Sequence, residues 1–297
     1  MSILSLKGVV KQFHNHTAVD SVSFNVEKQK IFGLLGPNGA GKTSLIRIIT
    51  TITGADEGEI LIDGESLNHH HPRDIGYMPE ERGLYKKMKV GDQLMYLAQL
   101  KGLKKSEAKE KIVFWLKKFD VTDWWNKKIE ELSKGMQQKI QFVATVVHEP
   151  KLIILDEPFS GLDPINTNLI KSEISKLKDN GASVIFSTHR MEQVEEICED
   201  IVLMNQGRVI LEGNVGSIKQ NFKENLYKIE FTGDIGSEFS NYDVVEQDKN
   251  SVLVKLAPDT DGNELIKHAV NTGIHIESFN EVLPSLNDIF IKQVENN

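Results

Sequence analysis

Ile31-Phe32-Gly33-Leu34-Leu35-Gly36-Pro37-Asn38-Gly39-Ala40-Gly41-Lys42-Thr43 is the stretch that decides the fold. Its first five residues form a short continuous apolar run, the pattern of a parallel strand buried on both faces. Beyond the glycines, Leu45, Ile48, Ile49 and Ile52 recur at i, i+3, i+4 and i+7, so an amphipathic helix carrying all four is expected. Strand, glycine loop and helix together are the setting in which Gly36 to Thr43 makes a phosphate loop. The glycines let backbone N–H groups converge on phosphate oxygens, and the helix adds its positive end. Lys42 reaches the β and γ phosphates, the Thr43 hydroxyl holds magnesium, and Ser44 adds one more phosphate contact. Gly36, Pro37, Asn38, Gly39, Ala40, Gly41, Lys42, Thr43 and Ser44 are therefore the expected nucleotide-binding residues.

Outward from this loop the pattern is that of an α/β protein. Residues from Ile3 to Val26 alternate apolar and polar positions around the turn-like Phe13-His14-Asn15-His16, which predicts an antiparallel β flank. Val90 to Val147 reads as helical, with Ser106 and Ser133 as N-caps, and suggests a helical subdomain inserted into the core. Leu152 to Leu155, Ser183 to Ser187 and Ile201 to Met204 return as short buried strands separated by helices, so the core sheet is expected to be mostly parallel. Beyond residue 220 the strand-like stretches Leu226 to Phe231, Val244 to Glu246, Val252 to Leu256 and Ile274 to Phe279 alternate with helices at Glu264 to Asn271 and Leu286 to Val294. Two domains follow, residues 1–220 and a small α+β unit at residues 224–297.

Two further segments carry chemistry. The strand Leu152 to Leu155 ends in Asp156-Glu157-Pro158, where Asp156 is placed for magnesium, a cation suited to one or two carboxylates plus phosphate oxygens. Glu157, next along the chain, is expected to point elsewhere. In Leu132-Ser133-Lys134-Gly135-Met136-Gln137-Gln138, Ser133 as N-cap leaves a hydroxyl and free N–H groups at a helix start, a ready anion site.

In this order the three segments resemble the Walker A, signature and Walker B motifs of ABC-type ATPases. The usual signature is LSGGQ; Leu132, Ser133 and Gly135 match, while Lys134 and Met136 depart. The resemblance implies an ABC-type P-loop NTPase with a mostly parallel core, an antiparallel β flank, a helical subdomain at about residues 90–147 and an accessory C-terminal α+β domain. It implies Mg-ATP as ligand, with Glu157 polarising the attacking water, Lys42 on the phosphates, and His189 after Thr188 at the position that holds water and Glu157 in line. Ser133 and Gly135 would complete a site on a partner chain, and Asp163 in Ser160-Gly161-Leu162-Asp163 would lie along the dimer interface. Phe13 matches the aromatic that stacks on adenine. Glu80, in Tyr77-Met78-Pro79-Glu80-Glu81-Arg82-Gly83, stands where the family has glutamine and joins Thr43 and Asp156 as a candidate metal ligand.

The C-terminal unit, which ends in Leu283-Pro284-Ser285-Leu286-Asn287-Asp288-Ile289-Phe290, is similar to the accessory domain of ATPase subunits from sodium-efflux and drug-efflux exporters. The two resemblances together imply a second ATPase subunit, expected to be another copy of this chain, and a separate transmembrane permease through which hydrolysis powers export. The alternative is a soluble ABC-type ATPase acting on nucleic acid, the ribosome or a cluster scaffold.

Composition narrows the surroundings. The chain has 297 residues, 39% hydrophobic and 26% charged, with a net charge of -8 that argues against an open nucleic-acid surface. No apolar run approaches the roughly 18–20 residues that span a bilayer, and the first residues do not read as an export signal. A cytoplasmic location, peripheral on the inner face of the cell membrane, is expected. Cys198 is the single cysteine and reads as packed. His69-His70-His71 lacks acidic or thiol partners at ligand spacing and reads as a solvated loop. Trp124 and Trp125 read as half-buried.

Overall fold

A computed structural model of the chain describes residues 1–81, 83–233, 239–257 and 260–295, so Arg82 of the Glu80 loop lies outside the described residues. The chain divides into two compact units, Met1–Val215 and Gly216–Asn297. The first contains β1 (Ser2–Phe13), β2 (His16–Glu27), β3 (Ile31–Leu35), α1 (Lys42–Ile49), β4 (Glu57–Ile62), β5 (Glu65–Ser66), β6 (Ile75–Met78), α2 (Val90–Leu100), α3 (Lys105–Lys118), α4 (Lys134–Val146), β7 (Leu152–Asp156), α5 (Pro164–Asp179), β8 (Ser183–Thr188), α6 (Met191–Ile197), β9 (Asp200–Asn205) and β10 (Arg208–Asn214).

The core sheet runs in the order β10-β9-β3-β8-β7-β6. All its pairings are parallel except β10 with β9. Every residue of β3, β7 and β8 is buried, as a strand covered by helices on both faces requires. A second, antiparallel sheet, β2-β1-β4-β5, forms the flank, and its inward Leu4, Leu6, Val22 and Phe24 share one apolar core with Leu45, Ile46, Ile48 and Ile49 of α1. The helical subdomain holds α2, α3 and α4, bridged by 3-10 turns at Thr122–Asn126 and Ile129–Glu131.

Three local expectations need correction. Helix α1 ends at Ile49, and Ile52 is 62% exposed beyond it. The Thr50 hydroxyl donates to the Ile46 carbonyl, Thr51 turns left-handed at φ 60, and the Ile52 N–H folds back to the Arg47 carbonyl at 2.8 Å, a closed helix end. Ser106 is not an N-cap: α3 starts one residue before it, with Lys104 at the cap position and no side-chain bond. His71 is buried, not solvated, and its Nδ1 accepts from the Asn68 N–H at 3.1 Å. Trp124 and Trp125 are half-buried. The Trp125 indole covers Gly91, where a Cβ would stand 2.3 Å from Cε2.

The second unit carries α7 (Val215–Asn221), which begins at the unit boundary, then β11 (Leu226–Thr232), β12 (Asp243–Asp248), β13 (Ser251–Lys255), α8 (Gly262–Asn271), β14 (His275–Val282) and α9 (Leu286–Glu295). Its antiparallel sheet β12-β13-β11-β14 packs Ile229, Phe231, Val252 and Val254 against Leu265 and Ala269 of α8. Strand alternation on one side and a 3.6-residue stripe on the other give this unit a core of its own.

Candidate functional site

The glycine loop leaves the C-terminal end of β3 and turns into α1. Gly36 sits at φ 147 and Gly41 at φ 101; a Cβ on either would lie 2.3 Å from a backbone oxygen, Met204 O and Ala18 O respectively. No other residue fits those two positions. The Lys42 ammonium folds onto the loop, donating to the carbonyls of Gly36 at 2.7 Å and Pro37 at 3.1 Å. Burial holds its pKa below the ordinary lysine value, opposed by the charges of Asp156, Glu157 and Glu80.

A cavity of about 270 Å³ opens beside the loop, walled by residues 38–44, Phe13, His16, Ala18, Glu80, Asp156 and Glu157. Phe13 closes β1 and is 45% exposed, with Lys11 Nζ 5.4 Å from its ring centre. Three carboxylates facing one ammonium would repel a polyphosphate unless a cation came with it. The donor set suits such a cation. Asp156 Oδ1 accepts from the Ser187 hydroxyl at 2.7 Å, while its buried Oδ2 has no hydrogen-bond partner. Burial, with Glu80 and Glu157 nearby, raises the Asp156 pKa. Thr43 and Glu80 border the same cavity, so a hard, oxygen-seeking divalent ion fits these residues.

Glu157 lines this cavity together with Asp156 rather than turning away from it. Its backbone leaves strand geometry at φ 51, which breaks the alternation of side chains along β7. The carboxylate is then gripped from the end of β8: Oε1 accepts from the His189 N–H at 2.8 Å and lies 2.6 Å from His189 Nδ1, and Oε2 accepts from the Thr188 hydroxyl at 3.1 Å.

Ser133, Gly135 and Asp163 are absent from the walls of that cavity. Ser133 is exposed and caps α4, its Oγ accepting from the Met136 N–H at 3.3 Å. A Cβ on Gly135 would stand 3.2 Å from the Gly161 carbonyl, so the Ser133 turn packs on the segment leading to Asp163. Asp163 is exposed and caps α5, accepting from the Asn166 N–H at 2.9 Å. Those Asn166 bonds hold its pKa below the usual carboxylate value.

Two buried glutamines on α4, not singled out from sequence, tie these parts together. Gln138 Nε2 donates to the Pro158 carbonyl at 2.9 Å, just after Glu157, and Gln141 Nε2 donates to the Pro79 carbonyl at 2.7 Å, just before Glu80. Their signal was two polar residues at i and i+3 standing among the buried Ile140, Phe142 and Val143 of an amphipathic helix. A wider cavity of about 700 Å³ lies beside Glu80 and is lined by Ile52, Leu84, Leu97, Leu100, Lys101 and His148 among others.

The family profile described as ABC transporter matches residues 19–160, and the one described as ATP-binding protein DrrA1-3-like, C-terminal domain, matches residues 213–294. The ABC transporter ATP-binding protein YhaQ of Bacillus subtilis is 44% identical over 294 residues, 98% of this chain and 98% of that one. The linearmycin resistance ATP-binding protein LnrL of the same organism is 35% identical over 214 residues, 71% of this chain and 69% of that one. A solved ATP-binding subunit of an ABC transporter aligns at TM-score 0.70 and 29% identity over 74% of this chain and 93% of its own. None of these relatives is named for a partner outside transport. Near-full-length identity and a phosphate loop seated on a parallel sheet agree: this chain belongs to the ABC transporter ATP-binding proteins and is an ATP-hydrolysing transport subunit.

Proposed function

We propose that two copies of this chain bind Mg-ATP head to tail, each nucleotide held by one copy's phosphate loop and the other's Ser133 and Gly135, and that hydrolysis drives export through a separate permease. The observation that carries this reading is the grip of His189 and Thr188 on Glu157 at the mouth of the phosphate-loop cavity. The exposure of Ser133 away from that cavity supports a signature that serves another chain.

Loop amides and Lys42 bind and orient the triphosphate. Phe13 offers a ring to the adenine. Magnesium, held by Thr43 and Asp156 with Glu80 alongside, would neutralise phosphate charge. Glu157 accepts a proton from water as its oxygen attacks the γ phosphorus, and ADP leaves with the β–γ bridging oxygen. His189 keeps that carboxylate aimed.

The subunit works at the inner face of the cell membrane. No helix among the described residues is long and apolar enough to cross a bilayer. On this reading a membrane partner supplies the pathway. The apolar cavity beside Glu80 suits that partner, because a segment seated there would act on the Glu80 loop directly. LnrL, named for linearmycin resistance, supports export of a drug-like compound as the cargo class.

Mixing two inactive variants tests the arrangement. Ser133→Arg and Lys42→Ala chains should each lack turnover, and their mixture should regain it, because a mixed pair contains one intact composite site. A mixture as inactive as its parts would contradict the head-to-tail reading.

A further inference from the structure

Charge is unevenly distributed along this chain. Residues 86–139 hold fourteen lysines, seven carboxylates and no arginine, a net of +7 within a protein of net -8. Elsewhere lysines are largely neutralised: Lys7 pairs with Glu59, Lys28 with Asp63, Lys151 with Asp74 and Lys228 with Glu230. Lys86, Lys87 and Lys89, by contrast, are exposed and have no carboxylate within bonding distance among the described residues.

These three lysines belong to one contiguous patch. Lys89 bridges Lys128 in antiparallel fashion, the Lys86 carbonyl accepts from the Glu130 N–H at 3.0 Å, and the Lys127 carbonyl accepts from the Val90 N–H at 2.9 Å. Lys86, Lys87, Lys89, Lys127 and Lys128 thus lie on two adjoining segments. Glu80 and Glu81 precede the patch in the chain and Asp92, Asp123, Glu130 and Glu131 lie within its segments; Lys127 engages Asp123 and Lys128 engages Glu130. Beside the lysines stand two exposed tyrosines, Tyr85 and Tyr96, edge to face with ring centres 6.3 Å apart.

We infer that this patch binds the anionic headgroups of a membrane leaflet. Unpaired lysines are drawn to an anionic surface, and amphipathic aromatic rings settle at headgroup depth. Lys86, Lys87, Lys89, Lys127 and Lys128 stand outside the lining of the cavity assigned above to the permease, and permease loops, which carry excess positive charge themselves, are a poor match for the lysines. Nucleic acid is also disfavoured, because lysine alone lacks the planar fork with which arginine reads phosphates and bases. The inference extends the membrane-peripheral reading above. Its test uses this chain alone, so the absence of a permease or of turnover leaves the outcome unaffected.

Co-sedimentation with vesicles of equal parts phosphatidylglycerol and phosphatidylcholine, and with phosphatidylcholine alone, provides that test. The intact chain should bind only the anionic vesicles and be released by high salt. Each lysine near such a surface strengthens binding by about fivefold, so K86Q/K87Q/K89Q should bind roughly a hundredfold more weakly while keeping its ATP turnover and melting temperature. K7Q/K28Q/K151Q, with equal charge removed from paired lysines, should bind as the parent does. Equal binding to both vesicle types, parental binding by the first triple variant, equal loss in both triple variants, or a preference for an RNA oligomer over the vesicles would each overturn the inference.

Discussion

Glu157 and His189 are joined twice: one carboxylate oxygen accepts from the His189 backbone N–H at 2.8 Å and lies 2.6 Å from the imidazole Nδ1. The backbone contact, with the Thr188 hydroxyl on the other oxygen, fixes where the carboxylate sits, and the ring adds a second partner to the first oxygen. His189→Ala removes only the second. Turnover should fall roughly a hundredfold with ATP affinity little changed, because the imidazole's hold on the proposed base is lost while the glycine loop is untouched. Equilibrium ATP binding and steady-state phosphate release measured on one preparation check both halves.

Gly36→Ala tests the loop. Its backbone stands at φ 147, and the new methyl would meet Met204 O at 2.3 Å and the Ala40 Cβ at 2.9 Å. A stability loss of about 2 kcal/mol or more in urea unfolding is expected, along with weakened ATP binding. The same substitution at Gly39, where nothing lies within 4 Å, should cost less despite its φ of 82.

Gln138 is buried between α4 and the turn after Glu157. Gln138→Leu strands the Pro158 carbonyl without a donor, for an expected loss of about 1–3 kcal/mol. Because that turn carries Glu157, kcat should fall while KM for ATP stays near the parent value. A loss of stability with kcat intact would make Gln138 structural only.

His148 gives the protein a pH dependence. Burial, helped by the Lys101 charge, pushes its pKa down to about 4 from 6.5. Between those values the unfolded chain binds the proton and the folded chain does not, so stability is present above the unfolded pKa and lost as pH falls towards 4. The contribution is on the order of 2 kcal/mol between pH 7 and pH 5. Urea midpoints at the two pH values should differ less in His148→Gln than in the parent.

Sequence legibility followed the strength of local constraint. The phosphate loop and the strand ending in Asp156 were readable because backbone chemistry demands those residue types at those spacings. Strands β4, β6 and β10 were not, since Glu57–Ile62, Ile75–Met78 and Arg208–Asn214 are not buried throughout as β3, β7 and β8 are, so no continuous apolar run marks them. Ile52 misled because helical spacing continues past a chain reversal set by Thr50 and Thr51. The position of Glu157 depends on a single left-handed residue, which periodicity does not encode. Gln138 and Gln141 acquire meaning only once α4 is laid against the loops holding Glu157 and Glu80.

Activation of the attacking water is the role proposed for Glu157, and Glu157→Gln isolates it because the amide keeps the size of the side chain. Steady-state turnover and oligomeric state in Mg-ATP should be measured on this variant beside the parent. Turnover should be lower by roughly a hundredfold or more, with ATP still bound and the chain accumulating as a closed dimer. Turnover equal to the parent's would contradict that role.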